Sequence, residues 1–388
     1  MDTQAEGSMA VTIKEVVSKK DLKDFVVFQR RLYRNCPSFV PSLDFDELAT
    51  LDKKKNPAFE SCRARYWLAL KDGEIAGRIA GIINEKYIEI WKHKYARFGW
   101  VDFIDDHEVS RALFETVEKW ARDNGMEGIQ GPLGFTDFDK EGMLVEGFDE
   151  LGTIAGIYNY PYYLEHLKRL SYAKEVDWLE FQMKLAAALP EKIERMNQIV
   201  AKRQQLRAVH LRKAKDILPY TKEIFRLLNE CYKELFDFVP LSDKQVTYYT
   251  KQYFSFIRPD LVQLIVDKND KLAGFGLTMP SLSLALKKAG GRLLPLGLLH
   301  LLRAIKKNNK ADLLLIAIRE DLQGKGVNAM IMREGYKACI ESGITLVEAS
   351  HQLETNEKVL SIWERMDARQ HKRRRCFLKQ FQRSAAGC

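Results

Sequence analysis

Between Leu313 and Met332 the chain reads Leu-Leu-Leu-Ile-Ala-Ile-Arg-Glu-Asp-Leu-Gln-Gly-Lys-Gly-Val-Asn-Ala-Met-Ile-Met, an apolar run, a turn with two glycines, and the start of a helical pattern. Strand, glycine turn and helix in that order suit a pyrophosphate. Gly324 and Gly326 let the backbone approach the anion, the first-turn N–H groups lack intrahelical partners, and the helix dipole favours negative charge there. Lys325 adds a cation. A two-glycine turn also ends strands for structural reasons alone, so its context decides the reading. The equivalent turn earlier in the chain, Asp105 to Ser110, has three carboxylates and no glycine. It would repel a pyrophosphate, and its acids are explained as helix caps.

The elements that must hold such a loop come from a chain of 388 residues, long enough for two domains that each bury a core. A hydrophobic content of 46% with 30% charged residues excludes a disordered chain. The net charge of +9 favours anionic partners, whether a phosphorylated co-substrate, lipid headgroups or a nucleic acid. The six cysteines are scattered without a CxxC pair, which argues against a disulfide framework or a zinc site and fits a reducing cytoplasm. No metal is expected. Residues 1–8 read as a tag remnant before Met9.

An internal repeat organises the rest. Tyr66 to Gly81 and Gln263 to Leu277 each read strand, turn, strand, with turns at Lys71-Asp72-Gly73 and Lys268-Asn269-Asp270. Each hairpin is followed by an apolar strand (99–104; 313–318), a helix (109–122; 329–341) ending at Gly125 or Gly343, and a second strand (128–133; 345–349). A strand–helix–strand unit of that kind is parallel. Helical stretches at 20–34 and 216–235 precede the hairpins. The expected domains are 9–188 and 206–385, joined over 189–205 by a polar helix or linker.

The loop resembles the acyl-CoA signature of the GNAT superfamily, Gln/Arg-x-x-Gly-x-Gly/Ala, through Gln323, Gly326 and Asn328, the last a departure from Gly or Ala. The phrases Asn56-Pro-Ala-Phe59, Phe98-Gly-Trp100, Gly131-Pro132, Glu146-Gly-Phe-Asp149 and Tyr158-Asn-Tyr-Pro-Tyr-Tyr163 resemble those of bacterial tandem-GNAT proteins that include the ceramide synthases. That resemblance implies an α/β fold with α+β mixed sheets, two tandem GNAT-like domains, each a mostly antiparallel sheet flanked by helices. It implies acyl-CoA as co-substrate, held by Ala317, Ile318, Gln323, Gly324, Lys325, Gly326, Val327, Asn328, Ala329 and Asn356. The first half, lacking the loop, would shape the acceptor site.

Acyl transfer to an amine needs a base, a polarised carbonyl and a proton for the thiol. By the resemblance, backbone N–H groups of Ile316 to Ile318 meet the carbonyl. Candidates for proton transfer are His351, Glu348, Tyr162, Tyr163 and Asp137, with Asp139, Glu146 and Tyr158 weighed beside them. Each has a structural reading: His351 as a loop histidine, Glu348 as a solvent-facing strand residue, the aspartates as turn formers, the tyrosines as packing. The tyrosine that many GNAT enzymes use as acid is replaced by Trp363.

Residues 280–310 carry Leu294, Leu298, Leu301, Leu302 and Ile305 at helical spacing, edged by Lys287, Lys288, Arg292, Arg303, Lys306 and Lys307. The apolar part is too short to span a bilayer; it reads equally as a core helix or as a contact with the membrane surface, which would make the protein peripheral on the inner membrane. The run Lys372 to Arg375 reads as a solvated strand edge, with headgroup or 3′-phosphate binding as alternatives. The expected function is acyl-CoA-dependent N-acylation of a lipid amine, a sphingoid base (sphinganine or 3-ketosphinganine). An N-acyl amino acid synthase, with Arg63, Arg65 or Arg78 on the acceptor carboxylate, and a non-catalytic GNAT-fold protein that binds membrane or nucleic acid are the alternatives. No nucleic-acid partner is expected, for want of a basic face interleaved with aromatics; the sequence leaves the oligomeric state open.

Overall fold

A computed structural model describes residues 10–189, 191–253 and 256–382; the expected tag remnant at 1–8 lies outside them. The chain forms two compact units. Among the described residues, the first comprises 10–149, 156–177 and 374–382, and the second the stretches within 150–155 and 178–373. The units interleave along the chain, whereas the expected domains are consecutive stretches.

In the first unit, strands β1 (Thr12–Glu15), β2 (Cys62–Lys71), β3 (Glu74–Asn84) and β4 (Tyr95–Phe103) pair antiparallel in order. The next strand, β5 (Gly128–Gly131), pairs parallel to β4. Helices α1 (Lys19–Leu32), α2 (Asp44–Thr50) and α3 (Glu85–Trp91) surround the hairpin in sequence, and α4 (His107–Asp123) crosses from β4 to β5. Phe98, Phe103, Leu113, Phe114, Val117 and Ile129 fuse α4 to the sheet in one buried cluster. Asp106 caps α4 by accepting from Glu108 N and Val109 N, the role its position implied. Strand β6 (Met143–Glu146) and α5 (Tyr162–Arg169) complete this part of the chain.

The second unit repeats the plan. Strand β7 (Ala173–Lys184) leads to α6 (Glu191–Gln204), then β8 (Leu206–Val209), α7 (Thr221–Tyr232) and α8 (Asp243–Tyr253). The hairpin is β9 (Val262–Asp267) and β10 (Leu272–Pro280), followed by α9 (Ser283–Ala289) and α10 (Gly297–Lys306). After them come β11 (Lys310–Ile318), α11 (Val327–Glu341), β12 (Leu346–Leu353), α12 (Glu357–Arg365) and β13 (Arg369–Gln380). Pairing from β8 through β11 is antiparallel, and β11–β12 is parallel.

The closing strand of each sheet comes from the other half of the chain. Phe377 to Gln380 of β13 pair antiparallel with β5, whereas Trp178 to Lys184 of β7 pair antiparallel with β12. The four-residue edge strands β1 and β8 escaped the sequence reading because so short a run carries no resolvable period.

Several of the phrases that carry the resemblance in the first unit are structural fastenings. Asn56 caps the turn Pro57–Glu60 through Ala58 N at 2.9 Å and donates to Thr50 O at 2.7 Å. A Cβ at Gly99 would lie 2.4 Å from Leu133 O, and one at Gly131 2.2 Å from Phe98 O, so only glycine lets these backbones approach. Asn159 bridges both backbone groups of Leu144.

Candidate functional site

Strand β11 runs parallel to β12 only from Lys310↔Leu346 to Leu313↔Ala349. Beyond Ala349 strand β12 bulges, its His351 at φ 50°, and then Gln352 and Leu353 stay with β7. Residues 314–318 therefore present an edge that β12 has left. Backbone directions can be read from the neighbours: Arg319 N donates to Ala273 O on the β10 side, so alternation turns the N–H and C=O of Ile316 and Ile318 to the vacated edge. Tyr232 Oη donates to Ile316 O at 3.2 Å, and Cys231 Sγ and Gln323 Nε2 donate to Ile318 O, each at 3.1 Å. The N–H groups of Ile316 and Ile318 point the same way.

Past Ile318 the chain makes a 3-10 turn, Glu320–Leu322, and reaches the glycines. Gly324 (φ 71°) and Gly326 (φ 87°) are both left-handed, and Gly326 caps α11 with no side-chain capping bond. Ala329 N donates to Gly326 O at 2.9 Å, while the Val327 and Asn328 amides ahead of it have no side-chain cap, the kind of helix start that suits an anion. A cavity of about 350 Å³ lies against the loop, lined by Arg203, Gln204, Gly324 and Lys325. Two cations, two glycines and an uncapped helix start fit the phosphates of a CoA thioester.

Two of the lining residues were missed, because 189–205 read as a polar helix or linker. Its residues 191–204 form α6, which belongs to the second unit and packs on α11: Val200 shares a core with Val327, Met330 and Ile331, and Arg333 pairs with Glu194 at 2.9 Å. The apolar positions of α6 are too few to show a face in sequence, but they suffice to seat it beside the loop.

Of the expected co-substrate residues, Ala317 and Ile318 end β11, and Gln323, Gly324 and Lys325 are exposed in the turn. Val327 is buried core, whereas Asn328 and Ala329 stand half-buried in the first turn of α11. Asn356 caps α12 through Val359 N. Trp363 of α12 stacks on Phe181, ring centroids 5.7 Å apart, and Trp178 meets the His351 ring edge-on at 6.4 Å.

Glu348 is corrected most sharply. It was read as facing solvent, yet it is fully buried, opposite Asp312 in register, and ion-paired with Lys310 and with Lys372, the latter at 2.5 Å. Lys372 also reaches Glu180 at 3.1 Å, and His371 lies 3.3 Å from Glu348. The reading of 372–375 as a solvated edge fails for the same reason: β13 is a paired strand, so alternate residues Lys372 and Arg374 point into buried faces, while Arg373 meets Glu354 and Arg375 clasps Asp177. Glu180, Glu348 and His371 converge closely enough to hold a cation, but the Lys372 ammonium already bonds both carboxylates.

Asp312, which the sequence analysis did not single out, is fully buried. Burial first, then the Glu348 carboxylate, pushes it up to about 7 against the opposing effect of Lys310, the Ser281 hydroxyl and Lys372. Tyr232 is likewise pushed up to about 12 by burial.

The remaining candidates lie in the first unit. Tyr163 is fully buried and shares hydroxyl contacts with Tyr33 (2.7 Å) and Phe103 N (2.9 Å); Tyr162 donates to Phe103 O at 2.5 Å. Asp137 is half-buried in the loop closed by Asp139, which accepts from Phe135 N and Thr136 N. Arg78 is locked onto buried Asp102 at 2.7 Å, and Arg63 and Arg65 pair with Glu85 and Glu15.

Repeated mixed sheets, a strand edge opened by divergence and a two-glycine helix cap define the GNAT class, and residues 221–367 match the family model described as acetyltransferase (GNAT) family. The second half of the chain thus carries a GNAT-family domain and the whole chain has the fold of tandem GNAT proteins, which together mark an acyl-CoA-dependent N-acyltransferase. It is 27% identical over 375 residues to protein YghO of Escherichia coli (strain K12), with 95% of each chain covered. It is 24% identical over 379 residues to the bacterial ceramide synthase of Caulobacter vibrioides (strain NA1000 / CB15N), covering 95% of this chain and 97% of that one. The structure of a tandem GNAT protein from the clavulanic acid biosynthesis pathway matches with a TM-score of 0.56 at 10% identity, covering 96% of this chain and 99% of that one, a likeness of fold.

Proposed function

We propose that this protein transfers an acyl group from acyl-CoA to a long-chain lipid amine, a sphingoid base such as sphinganine or 3-ketosphinganine, at the cytoplasmic side of the membrane. The observation that carries the acceptor is the end-to-end likeness to a bacterial ceramide synthase. The runner-up, an amino acid acceptor, needs a guanidinium for its carboxylate. Arg63, Arg65 and Arg78 are each already paired with a carboxylate, which favours the lipid amine.

In this reading the N–H groups of Ile316 and Ile318 polarise the thioester carbonyl. Asp312, on the same strand, takes the proton that the amine loses as its nitrogen attacks the carbonyl carbon. When the C–S bond breaks, Tyr232 supplies a proton to the departing sulfur, filling the place that Trp363 cannot. His351, at the bulge where the strands part, is the second candidate base. Glu348, held by two lysines, tunes Asp312 rather than accepting the proton itself.

The test is thiol release from palmitoyl-CoA with sphinganine, 3-ketosphinganine or an amino acid as acceptor, and Gly326→Glu as control. Release with a sphingoid base, abolished in the control, is expected. Release with the amino acid alone would transfer the assignment to the runner-up, and no release with any acceptor together with no CoA binding would reject both.

A further inference from the structure

The segment 280–310 was read as either core or membrane contact, and the structure divides it. Leu301 of α10 is fully buried, as are Leu282 and Leu286 at α9. Leu284, Leu294, Leu296, Leu298, Leu299 and Leu302 are exposed, Leu294 by 70% and Leu299 by 61%. The single apolar face expected from spacing is therefore not one face: α10 buries one side and shows leucines on the other. Among the described residues no helix is long and apolar enough to cross a membrane.

Within the segment the charges are of one sign. Lys287, Lys288, Arg292, Arg303, Lys306 and Lys307 are all exposed, and from Pro280 to Lys310 there is no Asp or Glu. An exposed apolar segment whose own charges are all cations matches a bilayer with anionic headgroups, where leucines enter the acyl boundary and cations meet phosphates. Other occupants match less well. A second copy docked about a two-fold axis would set one basic rim against another, and a nucleic acid would leave the leucines without apolar partners.

We propose that the α9–α10 segment is a docking element for anionic bilayers, inserting Leu294, Leu296, Leu298, Leu299 and Leu302 to the depth of the headgroup boundary. Its purpose rests on the reading of the acceptor as a lipid amine, which such docking brings within reach of the second unit. Its test does not.

The full chain is sedimented with vesicles of phosphatidylcholine alone and of phosphatidylcholine with phosphatidylglycerol, without substrates. Binding is expected only to the anionic vesicles and falls as salt rises. Two variants are compared, Leu296→Ser/Leu299→Ser and Arg303→Gln/Lys306→Gln, with CoA binding as the check on folding. Each is expected to lower partitioning about tenfold or more, the cationic pair at about fivefold per charge. Absence of binding to anionic vesicles, or undiminished binding by both variants, overturns the proposal. Self-association that the leucine variant abolishes, without vesicle binding, assigns the surface to a second copy and also overturns it. Acyl transfer to a detergent-dispersed amine is assayed in parallel: it survives if only the docking is wrong, while vesicle binding survives if only the acceptor is wrong.

Discussion

Asp312 shows how a residue acquires chemistry from its surroundings. An aspartate in water is ionised far below neutrality and makes a poor base; burial beside Glu348 brings this one to about 7, where it is partly ionised and ready to accept a proton. Because only the unprotonated form can act as base, kcat/KM is expected to fall as pH drops through about 7. Asp312→Asn should lower kcat/KM by about 10²–10⁴ and remove that limb from the pH profile. If the variant keeps the wild-type rate and profile, the base is elsewhere, and His351→Gln is the next measurement. Neither role was legible from residue type. Glu348 alternated with apolar neighbours and so read as the exposed face of a strand, when both faces of that strand are covered. Burial of carboxylates depends on lysines distant in sequence: Lys372 stands 192 positions from Glu180, a separation no local pattern reports.

At the scale of elements, the repeat of hairpin, strand, helix and strand was legible in both halves because each rests on local chemistry, alternating apolar runs, turn residues with positive φ and glycines after the helices. Gly73, Gly125 and Gly343 all adopt the left-handed backbone those positions implied. Helix α6 was not legible as part of the site, since its function comes from being laid against α11. Arg203 near its C-terminus faces the same cavity as Lys325. Arg203→Glu should weaken CoA binding about fivefold, an exposed cation being worth little more than that, and leave kcat at saturating acyl-CoA unchanged. Isothermal titration with CoA at low and high salt checks this; an unchanged affinity at low salt would remove Arg203 from the site.

For the whole molecule, the consequence of the strand exchange is that neither half of the chain is a complete folding unit. Phe377 of β13 is a member of the first unit's core, and Arg375 closes on Asp177 there. Truncation after Arg373 removes the strand that pairs with β5. The loss should exceed the whole stability of a domain, about 5–15 kcal/mol, so that the first unit unfolds although no residue before 374 has changed. Far-UV circular dichroism and limited proteolysis would report it; a truncated chain with wild-type melting and protection would mean that β13 is dispensable.

What the sequence determined by itself was whatever is encoded within a dozen or so residues: the two hairpins, the capped helices, the two-glycine turn that fits a pyrophosphate, and through these the GNAT class. Tertiary structure alone decided which strand closes which sheet, that the stretch expected to join the domains lines a cavity beside the two-glycine turn, that Glu348 and Lys372 are buried partners, and that six leucines of 280–310 face outward. The physical reason is the same in each case. Turn geometry, capping and periodicity are local, whereas burial, register and the pKa of an aspartate depend on which distant segments the fold brings against it.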